Sequence, residues 1–256
     1  MIQFPIAKQI CEQLTASNKA KTQVADTTSQ VSPWLSPLVY LLGRHCLLPL
    51  FFRQIEITGQ ENIPTSGPVI LAPTHRSRWD ALLIPYAAIA CVAAKDLRFM
   101  VTIDECQGLQ GWLVRHLGGF PVDPKHPSIT TLRHGVNLLQ QGRTLVIFPE
   151  GGIFRDDKLH PLKPGIARLS LSAESSYPGL GVKIIPISID YSHPYPTWGA
   201  DVNIHIGTPL NVSDYTDGTV KQNAQNLTSD LAFALKQLSH QESEVSSHAF
   251  AEIPNS

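Results

Sequence analysis

The sequence of 256 residues is short of charge. Asp, Glu, Lys and Arg make up only 16% of it, against 43% for hydrophobic residues. A globular chain ordinarily carries about a quarter charged residues. So little charge implies either a large core or apolar surface left for contact with lipid. Net charge is also lacking. A formal value of −1 supplies no basic field for a polyanion, so nucleic acid is not an expected partner. The four cysteines, Cys11, Cys46, Cys91 and Cys106, form no C-x-x-C pair. That argues against a structural zinc site or a disulfide framework, and four separate thiols suit a reducing, cytosolic compartment. No G-x-S-x-G run is present, which removes the nucleophile elbow of the common lipid hydrolases. Met1 to Leu14 lacks a basic start and a small-residue cleavage site, so a secretory signal is not expected. No internal repeat is visible.

An uninterrupted membrane span is missing as well. Trp34 to Phe52 is the most apolar stretch, but Arg44 and His45 sit at its middle, and Pro37 and Pro49 break it. A spanning helix needs about 20 apolar residues, and Arg at mid-bilayer costs about 2.5 kcal/mol or more. The expectation is therefore a helical segment lying in the membrane interface, anchored by Trp34 and Tyr40. An ordinary core helix is the alternative. Thr15 to Ser32 is polar without apolar period and reads as a flexible linker; Gln241 to Ser256 reads as a polar tail. The chain thus divides into residues 1–32 (flexible), 33–52 (interfacial), 53–240 (one folded domain) and 241–256 (tail).

From Phe51 onward, short β-branched runs alternate with helical periods. Strands are expected at Ile55–Thr58, Val69–Ala72, Phe99–Thr102, Thr144–Phe148, Val182–Asp190 and Val202–Ile206. Helices are expected at Trp79–Ala94, Ser128–Gln141, Pro164–Ser175 and Val220–Leu238. This interleaving predicts an α/β fold, a mixed and mostly parallel sheet flanked by helices. In such folds ligands gather at the carboxyl ends of the strands.

Two segments leave predicted strands carrying chemistry. Thr74-His75-Arg76-Ser77-Arg78-Trp79-Asp80 follows the strand at Val69 and enters an apolar helix. Ser77 would cap that helix and put Asp80 at its third position. On one continuous helix five residues turn about 500°, so His75 and Asp80 would not face each other. With His75 in the turn before the cap, the backbone can fold it back onto Asp80. The carboxylate then fixes one ring nitrogen, and the other can take a proton from an alcohol. A helix-start carboxylate and a histidine satisfied within a turn explain the same residues without catalysis. The second segment is Phe148-Pro149-Glu150-Gly151-Gly152-Ile153-Phe154-Arg155. Its glycines let backbone N–H groups approach a ligand, and Arg155 could grip a phosphate bidentately. A Gly-rich turn with a solvated Arg accounts for it equally well. Leu117 to Asp123 and Val182 to Ser188 could be plain loop and strand.

Four such segments in this order resemble the glycerolipid acyltransferases, the family of lysophosphatidic acid and glycerol-3-phosphate acyltransferases. The H-x4-D block is matched by His75 and Asp80. A Gly-rich block is matched at Gly118 to Asp123, a Phe-Pro-Glu-Gly block at Phe148 to Gly151, and a hydrophobic strand with Pro at Ile185 to Ile187. Lys163 to Arg168 also looks like the family's segment after the third block, and the match runs from about Gln54 to Gly207.

The resemblance implies an O-acyltransferase of phospholipid synthesis. His75 would deprotonate the acceptor hydroxyl, which attacks an acyl thioester, with Asp80 as orienter. The donor would be acyl-CoA or acyl-carrier protein as co-substrate. No metal, no other cofactor and no acyl-enzyme are implied. The second and third blocks would bind the glycerol phosphate of 1-acyl-glycerol-3-phosphate, which assigns Phe120, Lys125, Glu150, Gly151 and Arg155 to the acceptor. The setting would be the cytoplasmic face of a membrane, with the protein peripheral or monotopic. Two departures touch the phosphate grip. The family's Asp-Arg step reads Asp123-Pro124-Lys125 here, and its Glu-Gly-Thr-Arg reads Glu150-Gly151-Gly152-Ile153-Phe154-Arg155. Either Lys125 and Arg155 supply the grip from shifted positions, or the acceptor is another lysolipid or lipophilic alcohol. Lys is a point charge and does not reproduce an Arg fork. A lipid-binding module without turnover is the reading from another class.

Overall fold

The computed structural model describes residues 31–88, 97–123, 128–156 and 158–251, with side chains as far as Ser239. An eight-stranded sheet forms its middle layer. The strands are β1 (Gln54–Thr58), β2 (Val69–Pro73), β3 (Leu97–Thr102), β4 (Gly119–Val122), β5 (Thr144–Val146), β6 (Lys183–Tyr191), β7 (Asp201–Ile206) and β8 (Leu210–Asn211). They run in the order β1-β7-β6-β2-β5-β3-β4, with β8 also on β6. Only β7 and β8 pair antiparallel, both with β6; the other neighbours are parallel. The mixed, mostly parallel sheet inferred from the alternating pattern is the one found.

Parity along the strands builds two cores. In β2, Val69 and Leu71 point into one and Ile70 and Ala72 into the other, which is why its sequence is an unbroken apolar run. β7 covers one core only, so Val202, Ile204 and Ile206 alternate with half-buried residues. The first core is roofed by α3 (Asp80–Ala88), with Leu83, Ile84, Ala87 and Ala88 facing in. The second is covered by α5 (Ile129–Gln140), α6 (Gly165–Ser176) and α7 (Val220–Ala251), through residues such as Leu139, Leu169 and Leu227. Truncating one of these wholly buried Leu or Ile side chains to Ala costs about 2–5 kcal/mol.

The apolar stretch at Trp34 forms three consecutive pieces: α1 (Leu35–Leu42), a π-helical turn (Gly43–Leu47) and α2 (Leu48–Phe51). Pro49 gives a reason for the π turn. It has no N–H for the His45 carbonyl and its ring crowds that turn, so the helix widens before it. Ser36, Tyr40 and Leu48 are buried, while Trp34, Leu38, Leu41, Leu42, Leu47 and Leu50 face outward. Among the described residues no helix is long and apolar enough to cross a membrane.

Several elements differ from the sequence reading. α4 (Gly108–His116) and β4 were not marked by it. β4 contains Pro121 and starts on Gly119, both loop signals; the sheet edge tolerates them because Pro121 withholds a donor only from the open side. α3 begins at Asp80 itself, so Asp80 is its first residue, not its third. α7 continues beyond Leu238 to Ala251, into the stretch read as a polar tail. The linker read at Thr15 to Ser32 lies almost wholly outside the described residues, as do Cys11, Cys91 and the far end of the Trp79–Ala94 helix.

Candidate active site

β5, β2 and β6 are neighbours and all parallel, so the segments leaving them emerge at one edge of the sheet. The segment after β2 is stitched down at its first residue. The Thr74 N–H donates to the Ile187 carbonyl, 2.9 Å, and Thr74 Oγ1 accepts from the Ile189 N–H, 2.9 Å. The chain then loops so that three donors converge on one carboxylate oxygen. Asp80 Oδ2 accepts from the Arg76 N–H (2.7 Å), the Ser77 N–H (2.9 Å) and His75 Nδ1 (2.9 Å). Asp80 therefore caps the loop that precedes its own helix, and the capping holds His75 against it.

The other oxygen, Oδ1, accepts from the Tyr191 hydroxyl at 2.5 Å. Asp80 is fully buried. A carboxylate taken out of water needs such donors on both oxygens. Burial, and then the Asp80 charge beside it, push the Tyr191 phenol far above its ordinary range, so it stays protonated and donates.

The His75 ring lies flat on Phe148, with centroids 3.9 Å apart and planes 21° apart. It is 17% exposed. With Nδ1 donating to Asp80, Nε2 holds the lone pair and has no protein partner among the described residues. Such an imidazole can accept a proton at Nε2 while the carboxylate stabilises the positive charge that forms.

The segment after β5 is held by a second buried carboxylate. Glu150 Oε1 accepts from the His75 N–H, 3.2 Å, and from Arg76 Nη1, 2.8 Å; Oε2 accepts from the His160 N–H, 3.0 Å. The Phe154 N–H donates back to the His75 carbonyl, 2.9 Å. Glu150 thus locks the two segments together. Its own carboxylate is consumed in that lock, and Arg76 is its ion-pair partner at 11% exposure. Gly151 follows with φ +71°, and a Cβ there would stand 2.6 Å from Lys163 Cε. The Lys163 arm is laid across this glycine, and the Lys163 N–H donates to the Pro149 carbonyl, 2.9 Å.

The remaining expected residues sit elsewhere. Arg155 is exposed, its guanidinium 5.0 Å over the Tyr195 ring. Phe120 is wholly buried in the second core, edge-on to His134 at 5.0 Å, and presents no accessible wall to a ligand. Lys125 lies outside the described residues. The structure therefore brings together His75, Asp80, Glu150 and Gly151, with Arg155 at the exposed rim. The sequence reading overlooked Tyr191, and it gave Arg76 and Lys163 no place in the site. Tyr191 was within reach: it ends the strand that passes beside His75, at the edge where such a fold gathers its chemistry.

The chain is similar to known proteins. The model of the Acyltransferase family matches residues 54–190. A 1-acyl-sn-glycerol-3-phosphate acyltransferase of Streptococcus pneumoniae is 28% identical over 151 residues, 57% of this chain and 51% of that protein. One of Bacillus subtilis is 23% identical over 195 residues, 72% of this chain and 87% of that protein. The chain thus spans about half the length of the Streptococcus pneumoniae relative. The crystal structure of the 1-acyl-sn-glycerophosphate acyltransferase of Thermotoga maritima shares the fold, with a TM-score of 0.58 and 20% identity over 80% of this chain and 79% of that one. With the family model covering more than half of its residues, the chain belongs to the Acyltransferase family.

Proposed function

We propose that the protein transfers a fatty acyl group from an acyl thioester, on CoA or acyl-carrier protein, to the free hydroxyl of 1-acyl-glycerol-3-phosphate, giving phosphatidic acid. The observation that carries this reading is the His75–Asp80 hydrogen bond of 2.9 Å, with Nε2 left open beside it. His75 Nε2 takes the proton of the acceptor hydroxyl, and the oxygen attacks the thioester carbonyl. The C–S bond breaks as the C–O bond is completed, and His75 passes the proton to the departing thiolate, leaving an ester and a free thiol. Glu150 positions the loops rather than the substrate, Gly151 and Lys163 lie beside them, and Arg155 is the exposed cation for the phosphate. The relatives of Streptococcus pneumoniae and Bacillus subtilis support the acceptor by their names.

One observation favours a second acceptor. Arg155 rests on Tyr195 and stands apart from the family's Glu-Gly-Thr-Arg position, which suits a lysolipid with another headgroup. The outward row Leu38, Leu41, Leu42 and Leu50 supports seating on the surface of the membrane that holds the lipid. Mass spectrometry of the full chain with a panel of lysolipids and both donors tests the reading. Phosphatidic acid is the expected product. Transfer only to other lysolipids would replace the acceptor. Thioester consumption that ignores every acceptor would remove acyl transfer altogether.

A further inference from the structure

We infer that the Tyr191 hydroxyl is a positioning group for acyl transfer: it holds Asp80 so that Oδ2 stays aimed at His75 Nδ1. This inference rests on the catalytic reading of His75 given above. Oδ2 is held by His75 and by two backbone N–H groups of the loop. Oδ1 has one donor among the described residues, Tyr191 at 2.5 Å. A carboxylate rotates about its Cβ–Cγ bond, a soft two-fold torsion, so fixing Oδ1 fixes the plane in which Oδ2 meets the imidazole. Asp80 is fully buried, and no solvent stands ready to replace the phenol.

The strand register makes this contact and no other. Ile185, Ile187 and Ile189 of β6 point into the first core, beneath α3, and Tyr191 continues that row, packed against the same core. Asp80 opens α3 directly above it. A slip of one residue would present Asp190 to Asp80 instead, and two carboxylates would repel. β6 is in turn tied to the catalytic loop through Thr74, so the distance from Tyr191 to Asp80 is set by backbone bonds. The ring itself is packed near Phe52, with centroids 6.1 Å apart, so removing the hydroxyl alone leaves the packing in place.

A residue acting through Asp80 has a signature that a packing residue lacks. Tyr191→Phe lowers kcat for transfer from acyl-CoA to 1-acyl-glycerol-3-phosphate by roughly 10-fold or more, the scale of one hydrogen bond to a charged group. KM for both substrates stays within about twofold, because no contact with substrate is lost. In an Asp80→Asn background the same change costs less than about twofold, since the group it positions has gone. Equal losses in both backgrounds, or a loss confined to KM, would overturn the inference.

A second measurement needs no Tyr191 variant. Proton NMR of the isotope-labelled full chain should show two exchange-protected low-field signals, from the Tyr191 hydroxyl and the His75 Nδ1–H, both displaced in Asp80→Asn. A Tyr191 hydroxyl signal indifferent to Asp80→Asn would refute the contact. This readout is independent of substrate. If wild-type protein transfers no acyl group while both signals respond to Asp80→Asn, the functional reading fails and the linkage of Tyr191, Asp80 and His75 stands.

Discussion

The segments leaving β2 and β5 emerge at the same edge of the sheet, yet they are held in different ways along their length. From Thr74 to Asp80, and again at Glu150, the carboxylates are buried and bonded: Asp80 has four donors and Glu150 has three. Five residues past Glu150 the chain is at the surface, and among the described residues Arg155 rests on the face of Tyr195. A buried carboxylate tolerates neither displacement nor loss of a partner; an exposed guanidinium tolerates both. The contrast separates a buried, bonded half, which on the proposed function prepares the proton transfer, from an exposed rim, which on the same proposal would select the acceptor.

The sharpest way to break that contrast is to remove charge from the buried half. Glu150→Gln leaves Arg76 nearly buried without its anion and turns an amide toward the His160 N–H, where an acceptor is needed. The expected loss is about 3–5 kcal/mol in denaturant unfolding, accompanied by a fall in kcat. A loss below 1 kcal/mol, of the size of surface pairs, would place Glu150 with the rim.

Next in size is Gly151, at the border between the halves. Gly151→Ala imposes a side chain on φ +71° and drives a methyl into the Lys163 arm. Left-handed backbone alone costs about 1–2 kcal/mol, read as a lower melting temperature.

Phe120 belongs with the buried half, and its neighbour His134 reports on that surrounding. Burial, and then the charge of Arg98, hold the His134 imidazole below its ordinary value of 6.5. Below that value the unfolded chain binds the proton more readily than the folded one. Stability is therefore complete above about pH 6.5 and falls as the pH drops toward the folded value. His134→Gln should flatten that part of the acid-side stability curve; an unchanged slope would place His134, and Phe120 with it, in a watery setting. The smallest effect is at the rim. Arg155→Ala should raise KM for a phosphate-bearing lysolipid several-fold and leave kcat and unfolding unchanged.

The same division explains what could be read from residue order. The strands were legible because their runs are short, β-branched and bounded by Gly or Pro, as in Val69-Ile70-Leu71-Ala72 between Pro68 and Pro73. His75 and Asp80 were legible as a pair because Asp80 can hold a loop of that length only by folding back over it. The partner they need from afar was legible only as to place: the end of the strand beside His75 pointed to the edge where Tyr191 sits, but Tyr191 is 111 residues beyond Asp80, and the contact itself follows from the register of β6 against β2, which no local pattern encodes. Phe120 looked like a site residue because the resemblance gives the Gly118 to Asp123 block to the acceptor, beside two glycines that read as a loop. In the structure they let β4 form against Val114 and Leu97, where a Cβ would collide. Lys163 stood out only as the start of the family-like segment to Arg168, and its place across Gly151 depends on how the chain returns after that glycine.

The central claim is that His75 is the base. Transfer of acyl groups from acyl-CoA to 1-acyl-glycerol-3-phosphate, measured by mass spectrometry for wild type and His75→Ala at matched fold, tests it most directly. The account predicts a kcat lower by roughly 100-fold or more with an unaltered unfolding transition. Near-wild-type turnover by a folded His75→Ala protein would contradict it.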